Sequence, residues 1–132
     1  MANKLSTLDI AWIAGLLEGE GCFTNSSQSP HRPKIQLCMT DSDVVVRAAK
    51  LLKCHKVTEQ KNLTKKNKKI YRATLYGRRA ASWMMTLYPL MGERRQKRIE
   101  ELLTLWKEAK KNYPERTSYS RGATIVWSRE DG

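Results

Sequence analysis

The segment IAGLLEGEG, residues 13–21, determines the architecture of this 132-residue sequence. In a helix it brings the smallest residues onto one face at every fourth position: Ala11, Gly15 and Gly19. Each glycine costs a helix about 1 kcal/mol relative to alanine, and an acid near the carboxyl end costs about 0.3–1 kcal/mol. Glu18 and Glu20 both lie there. We therefore expect this helix to contact another backbone closely, and we expect Glu18 and Glu20 to have a functional role.

A two-fold related copy of the same helix is one possible neighbour, and this contact would bring the Glu20 carboxylates of both chains together. Carboxylates crowded in this way favour a hard divalent cation such as Mg²⁺. The alternative is a buried amphipathic helix that simply ends at Gly21.

Patterns on both sides of this segment predict the remaining elements. Ser6 and Asp9 form a capping-box pattern that starts the first helix, which runs to about Glu20. Apolar periodicity and breaker residues then predict strands at residues 22–28 and 32–40, a helix after residues 40–43 that ends near Cys54, strands at 57–61 and 70–76, a helix at 78–88, and a final helix after Gly92.

Strands that occur in adjacent pairs between helices predict an α+β fold with an antiparallel sheet that packs on helices along one side. The other side of the sheet must then meet something polar. We expect one domain at residues 1–111, followed by a basic C-terminal extension at residues 112–132 whose role the sequence leaves open.

The charge balance indicates the class of partner. Lys and Arg number 25 against 13 acids, which gives a formal net charge of +12. Solubility alone needs a net charge of only about 2–8 in a small domain, whereas an excess of this size attracts a polyanion. Nucleic acid is the expected partner, with no small-molecule substrate. The basic residues are spread over strands and loops as well as helices, which disfavours a membrane-binding helix.

The cysteines Cys22, Cys38 and Cys54 are odd in number and lack C-x-x-C spacing, which predicts neither a disulfide framework nor a zinc cluster. No apolar run approaches the roughly 18 residues of a membrane span, and the first residues lack the apolar region of a signal peptide. We therefore expect a reduced, cytoplasmic protein.

Residues 13–21, with Trp12 before them and Cys22-Phe23 after them, resemble the signature of the LAGLIDADG homing endonucleases in its Glu-Gly-Glu-Gly variant. The resemblance extends over roughly residues 6–110 and implies an αββαββα core with a saddle-shaped DNA-binding sheet. Because only one copy of the motif occurs, it also implies a homodimer. The implied function is cleavage of double-stranded DNA at a long, nearly palindromic site, for a protein encoded by a mobile intron, an intein or a phage-like element.

The resemblance also implies roles for individual residues. Glu20, with Gly19 beside it, would hold Mg²⁺ or Mn²⁺. Asp41 would lie near the attacking water, although an acid in the first turn of a helix is also favourable by itself. Arg94, or alternatively Arg95, would approach the scissile phosphate. The two-fold contact would comprise Ala11, Trp12, Gly15, Leu16 and Gly19.

A two-stranded ribbon fits the major groove of DNA, where alternate side chains reach base edges. Side chains of suitable type on the predicted strands and turns are Thr24, Ser26, Gln28, Arg32, Lys34, Gln36, Cys38, Thr58, Gln60, Arg72 and Thr74. Other lysines are expected to contact phosphates: Lys61, Lys65, Lys66, Lys68 and Lys69. Lys97, in the basic segment after Gly92, is a further candidate for DNA contact, or it belongs to a solvated helix face.

Two other functions fit the same sequence. A binder that kept the fold and lost the chemistry would act as an RNA maturase or a DNA-binding regulator. A purely structural basic protein would bind nucleic acid without sequence preference.

Overall fold

The computed structural model describes residues 5–62 and 68–112 of the chain. Its elements are α1 (Thr7–Glu20), β1 (Gly21–Asn25), β2 (Pro33–Met39), α2 (Ser42–Leu52), β3 (Val57–Asn62), β4 (Lys68–Tyr76), α3 (Gly77–Leu87), a 3₁₀ turn (Tyr88–Leu90) and α4 (Glu93–Asn112). Lys65, Lys66 and residues 113–132 of the expected extension lie outside the described residues.

The first helix starts at the expected capping box. The Ser6 hydroxyl accepts a hydrogen bond from the Asp9 amide at 3.0 Å, and the Asp9 carboxylate accepts one from the Ser6 amide at 3.2 Å. Two of the amides that a helix start leaves unpaired are thereby satisfied.

The four strands form one antiparallel sheet in the order β1-β2-β4-β3. Burial alternates along the central strands, since Ile35 and Leu37 on β2 and Ala73 and Leu75 on β4 are buried and their neighbours are more exposed. The buried side packs against the helices through an apolar core: Ile13, Leu17, Val45, Leu52, Met84, Leu87, Ile99 and Leu102. The α+β prediction is confirmed, with helices on one side of the sheet and a polar side that the described residues leave uncovered.

The first hairpin differs from the prediction because β1 ends at Asn25 rather than extending to residue 28. The Asn25 side-chain amide donates to the Pro30 carbonyl at 2.8 Å, and the Ser26 amide donates to the Arg32 carbonyl at 2.9 Å. These bonds close a turn over residues 26–32. Ser26 is consequently buried, 8% exposed, and its hydroxyl accepts the Gln28 amide, so it does not lie on a DNA-facing strand as expected.

Within the described residues, no helix is both long and apolar enough to traverse a bilayer.

Candidate active site and nucleic-acid interface

The carboxyl end of α1 meets the start of α4 in a group that we call the junction: Glu18, Phe23, Gly92, Arg95 and Arg98. Glu18 Oε1 accepts a hydrogen bond from the Gly92 amide at 2.8 Å. The Arg95 guanidinium donates from Nη2 to the main-chain carbonyl of Glu18 at 3.0 Å and lies over the Phe23 ring at 5.6 Å. The side-chain carboxylate and the main-chain carbonyl of Glu18 thus both hold α4 against the end of α1.

Glu20 is the last residue of α1 and is exposed. The turn into β1 depends on Gly21, where a Cβ would lie 2.7 Å from Leu17 Cδ2 and 2.8 Å from the Leu17 carbonyl oxygen. Close packing against Leu17 therefore requires glycine at position 21. This glycine lets the chain enter β1 directly after Glu20. Among the described residues, Glu20 forms no ion pair or hydrogen bond through its carboxylate.

The two candidate arginines on α4 differ in exposure and in their contacts. The Arg95 side chain is 13% exposed and turned toward Glu18, whose Oε2 lies 4.0 Å from its Nε. Arg94 is exposed, and it lines an open basic depression to which Arg95, Lys97 and Arg98 also contribute. Arg94 is the more exposed of the two, whereas Arg95 already donates to the Glu18 carbonyl. The choice between them stays a prediction.

Arg98 forms the other contact of α4 with the first strand. Its Nε donates to the Phe23 carbonyl at 3.2 Å, and its Nη1 pairs with Glu101 Oε1 at 3.0 Å. Lys97 faces the same depression as Arg94 and is exposed.

Asp41 lies at the N-cap position of α2, where its main-chain carbonyl accepts the amides of Val44 and Val45 at 3.2 Å each. Its side chain makes no capping hydrogen bond and is exposed. The carboxylate borders a second depression with Lys68, Lys69 and Tyr71. Capping by the side chain therefore does not account for an acid at this position, although the charge still lies at the favourable end of a helix.

One face of α1 is left uncovered by the described residues. Ala11, Gly15 and Gly19 are exposed, and a Cβ built on either glycine would have nothing within 4 Å. Leu8 on the same helix is 81% exposed. Trp12 and Leu16 lie at the margin, partly buried, with the Arg47 guanidinium 3.9 Å from the Trp12 ring centroid. The glycines are thus not explained by packing within the described chain.

The strand register brings most of the expected recognition residues onto one side, which we call the open face: Thr24, Lys34, Gln36, Cys38, Thr58, Gln60, Lys68, Arg72 and Thr74. Arg32 and Gln28 lie in the turn beside it and are exposed. Lys61 is paired with Lys69 and so projects to the opposite side of the sheet. The pairing of Thr58 with Arg72 places Thr58 and Gln60 on the same side of the sheet as Arg72.

Sequence reasoning missed Tyr76, which shares the open face at the end of β4. Its ring is 39% exposed and lies under two cations, with Arg32 Cζ 4.7 Å and Lys34 Nζ 5.7 Å from its centroid. The signal was available, because Tyr76 has the same parity as Arg72 and Thr74 on β4. Arg72 Nε also donates to Cys38 Sγ at 3.2 Å, so this guanidinium is held across the strands.

The part of the chain that the structure describes contains no group of three or more His, Cys, Asp or Glu side chains placed to hold a metal ion.

Burial raises the pKa of the Cys54 thiol to about 11, despite the opposing charge of Arg79. This thiol lies at the end of α2 and belongs to the core rather than to the site.

No protein-family model and no curated protein sequence matches the chain. Solved structures do. The homing endonuclease I-CvuI in complex with its target is 18% identical, with a TM-score of 0.56 over 81% of this chain and 71% of that chain. The group I intron-encoded homing endonuclease I-CeuI complexed with DNA is 13% identical, with a TM-score of 0.61 over 85% and 60%.

The archaeal intron-encoded homing endonuclease I-Vdi141I complexed with DNA is 12% identical, with a TM-score of 0.52 over 83% of this chain and 87% of that chain. At such identities the likeness concerns the course of the backbone. The chain has the fold of the LAGLIDADG homing endonucleases.

Proposed function

We propose that the protein is a homodimeric, divalent-metal-dependent endonuclease that cuts double-stranded DNA at a specific site. One observation carries the proposal: the uncovered small-residue face of α1 ends at the exposed carboxylate of Glu20, beside the basic depression that Arg94 lines. The fold is shared with homing endonucleases crystallised with DNA, such as I-CvuI and I-CeuI.

A second copy of the chain is the proposed cover for α1. Side chains as small as those of Ala11, Gly15 and Gly19 let two helix backbones approach closely, and a two-fold axis would place both Glu20 residues at one end of the contact. A symmetric dimer reads a nearly palindromic target, because each copy presents the same open face to one half of the site.

Glu20 suits a hard divalent cation such as Mg²⁺ or Mn²⁺, because its carboxylate is exposed and is not engaged by the other described residues. The described residues of one copy include no group of three or more side chains that could hold a metal ion, so the main-chain carbonyl of Gly19, the partner copy and a DNA phosphate would complete the ligand set. A bound divalent cation polarises the phosphoryl group and lowers the pKa of a bound water.

The chain's own residues would do the rest. Arg94 would bind a non-bridging oxygen of the scissile phosphate from the depression, and Asp41 would accept a hydrogen bond from water near the phosphorus. Positions on the open face would contact base edges in the major groove, while lysines such as Lys68 would contact phosphates.

Cleavage of a randomised DNA library in the presence of Mg²⁺, followed by sequencing of the ends, tests the proposal. The expected result is a single long, nearly palindromic site with 3′ overhangs. Glu20→Gln should keep the affinity for that site and lower the cleavage rate by about a thousandfold or more, because the metal ion supplies several kcal/mol. Specific binding without cutting by the wild type would instead support the maturase or regulator.

The dimer is tested separately by sedimentation. Gly15→Leu fills space that is empty in one copy, so it should leave the monomer folded and weaken the dimer. Ser82→Leu adds the same side chain to an exposed position of α3 and is the matched control. A wild type that stays monomeric on its target DNA would contradict the homodimer.

A further inference from the structure

We infer that Glu18 is a positioning residue, which fixes the place of Arg94 relative to Glu20 across the junction. The inference rests on the proposed function and adds a role for the first acid of the motif, which is otherwise unassigned. It makes Glu18 neither a metal ligand nor a group that touches DNA.

The contacts of Glu18 connect the two halves of the candidate site. Its carboxylate accepts the Gly92 amide at 2.8 Å, two residues before Arg94, and its carbonyl accepts Arg95 at 3.0 Å, one residue after Arg94. Glu18 itself lies two residues before Glu20 on α1. Arg94 is therefore flanked on both sides by bonds to the helical turn that ends in Glu20.

The chemistry of the junction matches an acid at this position. Gly92 precedes the first residue of α4, where unpaired amides and the helix dipole attract a negative charge. A Cβ on Gly92 would lie 3.3 Å from Glu18 Oε2. A larger residue at position 92 would therefore crowd the Glu18 carboxylate. The Arg95 Nε is buried without a hydrogen-bond partner and lies 4.0 Å from that oxygen.

A double-mutant cycle with the dimeric protein and its selected target separates positioning from general stability. Glu18→Ala should lower the single-turnover cleavage rate by about tenfold to a hundredfold with little change in Kd, because a misplacement of about 1 Å is sufficient. In the Arg94→Ala background the same substitution should cost less than about threefold. Full additivity of the two effects would overturn the inference.

Asp9→Ala is the control, because it removes the capping box at the other end of α1 and touches neither α4 nor the site. It should lower the melting temperature without changing the cleavage rate of the folded protein. Glu18→Gln retains an acceptor for the Gly92 amide and should recover part of the rate that Glu18→Ala loses.

Hydrogen exchange at the Gly92 amide gives a readout that does not require cleavage. Its protection should fall by about tenfold or more in Glu18→Ala, since hydrogen bonds to charged groups are strong, and should not change in Asp9→Ala. Unchanged protection would overturn the inference even if the enzyme is active. A wild type that cuts no DNA would overturn the proposed function, and with it the catalytic part of this role, whatever the exchange shows.

Discussion

The junction and the open face are built from the same residue types and use them in opposite ways. In the junction, Arg95 and Arg98 donate to main-chain carbonyls of α1 and β1 and hold two helices and a strand together. On the open face, Lys34 lies over the Tyr76 ring and Arg72 donates to Cys38 Sγ, and both side chains keep part of their surface exposed. Arginines that reach a main-chain carbonyl therefore stabilise the fold, as in the junction. Basic side chains on the open face make no such contact among the described residues and can bind a ligand.

The largest expected effect separates two adjacent arginines. Arg94→Ala should lower the cleavage rate by about a hundredfold while changing the free energy of unfolding by less than about 0.5 kcal/mol, because its side chain is exposed. Arg95→Ala should lower the free energy of unfolding by about 1–3 kcal/mol, since it strands the Glu18 carbonyl. Chemical denaturation and single-turnover kinetics on both variants check this. Equal losses of stability in the two variants would contradict a structural role for Arg95 that Arg94 lacks.

Next in size is the effect of a single methyl group at the end of α1. Gly21→Ala should destabilise the fold by about 1–3 kcal/mol, because its Cβ would meet Leu17 at 2.7 Å. Gly19→Ala meets nothing in one copy and should stabilise the monomer by up to about 1 kcal/mol. Denaturation at concentrations where both variants are monomeric measures the difference. A tolerated Gly21→Ala would contradict the close packing at the turn.

A smaller effect concerns salt. Lys68→Ala should reduce the slope of log K against log salt concentration by about 1, since Lys68 is expected to contact a phosphate. Arg98→Ala should leave that slope unchanged and lower the melting temperature, because its Nε is bonded to the Phe23 carbonyl. Titrations of target DNA at several salt concentrations compare the two variants. An unchanged slope for Lys68→Ala would contradict a phosphate contact by this lysine.

The smallest effect tests the aromatic ring at the end of β4. Tyr76→Leu should weaken target binding by about 0.5–1 kcal/mol, since it removes the ring over which Arg32 and Lys34 lie. Tyr76→Phe keeps the ring and should retain the affinity. Equal affinity of all three proteins would show that the ring does not organise these cations for DNA.

The sequence predicted the fold from local signals that tertiary structure did not override. The capping box at Ser6, the period-two alternation of Ile35 and Leu37, and the helical spacing of Ile99 and Leu102 all survive in the structure. The predicted strand over residues 22–28 failed at its end, because the Asn25 side chain bonds the Pro30 carbonyl and turns the chain early.

The candidate site was less accessible to sequence reasoning. The sequence does not show which of Arg94 and Arg95 is the more exposed, since this depends on how α4 packs against α1. The contact of Glu18 with Gly92 joins residues 74 positions apart, and no local pattern reports such a bond. The metal-binding, dimeric and DNA-contacting roles remain predictions that the experiments above address.

The hold of Arg98 on the Phe23 carbonyl has a consequence for assembly. β1 is an edge strand, and its outward-facing peptide groups are a template on which another strand can add. Because α4 lies along β1 and Arg98 occupies the Phe23 acceptor, strand addition at this margin is obstructed. Two molecules are thereby discouraged from joining their sheets through β1.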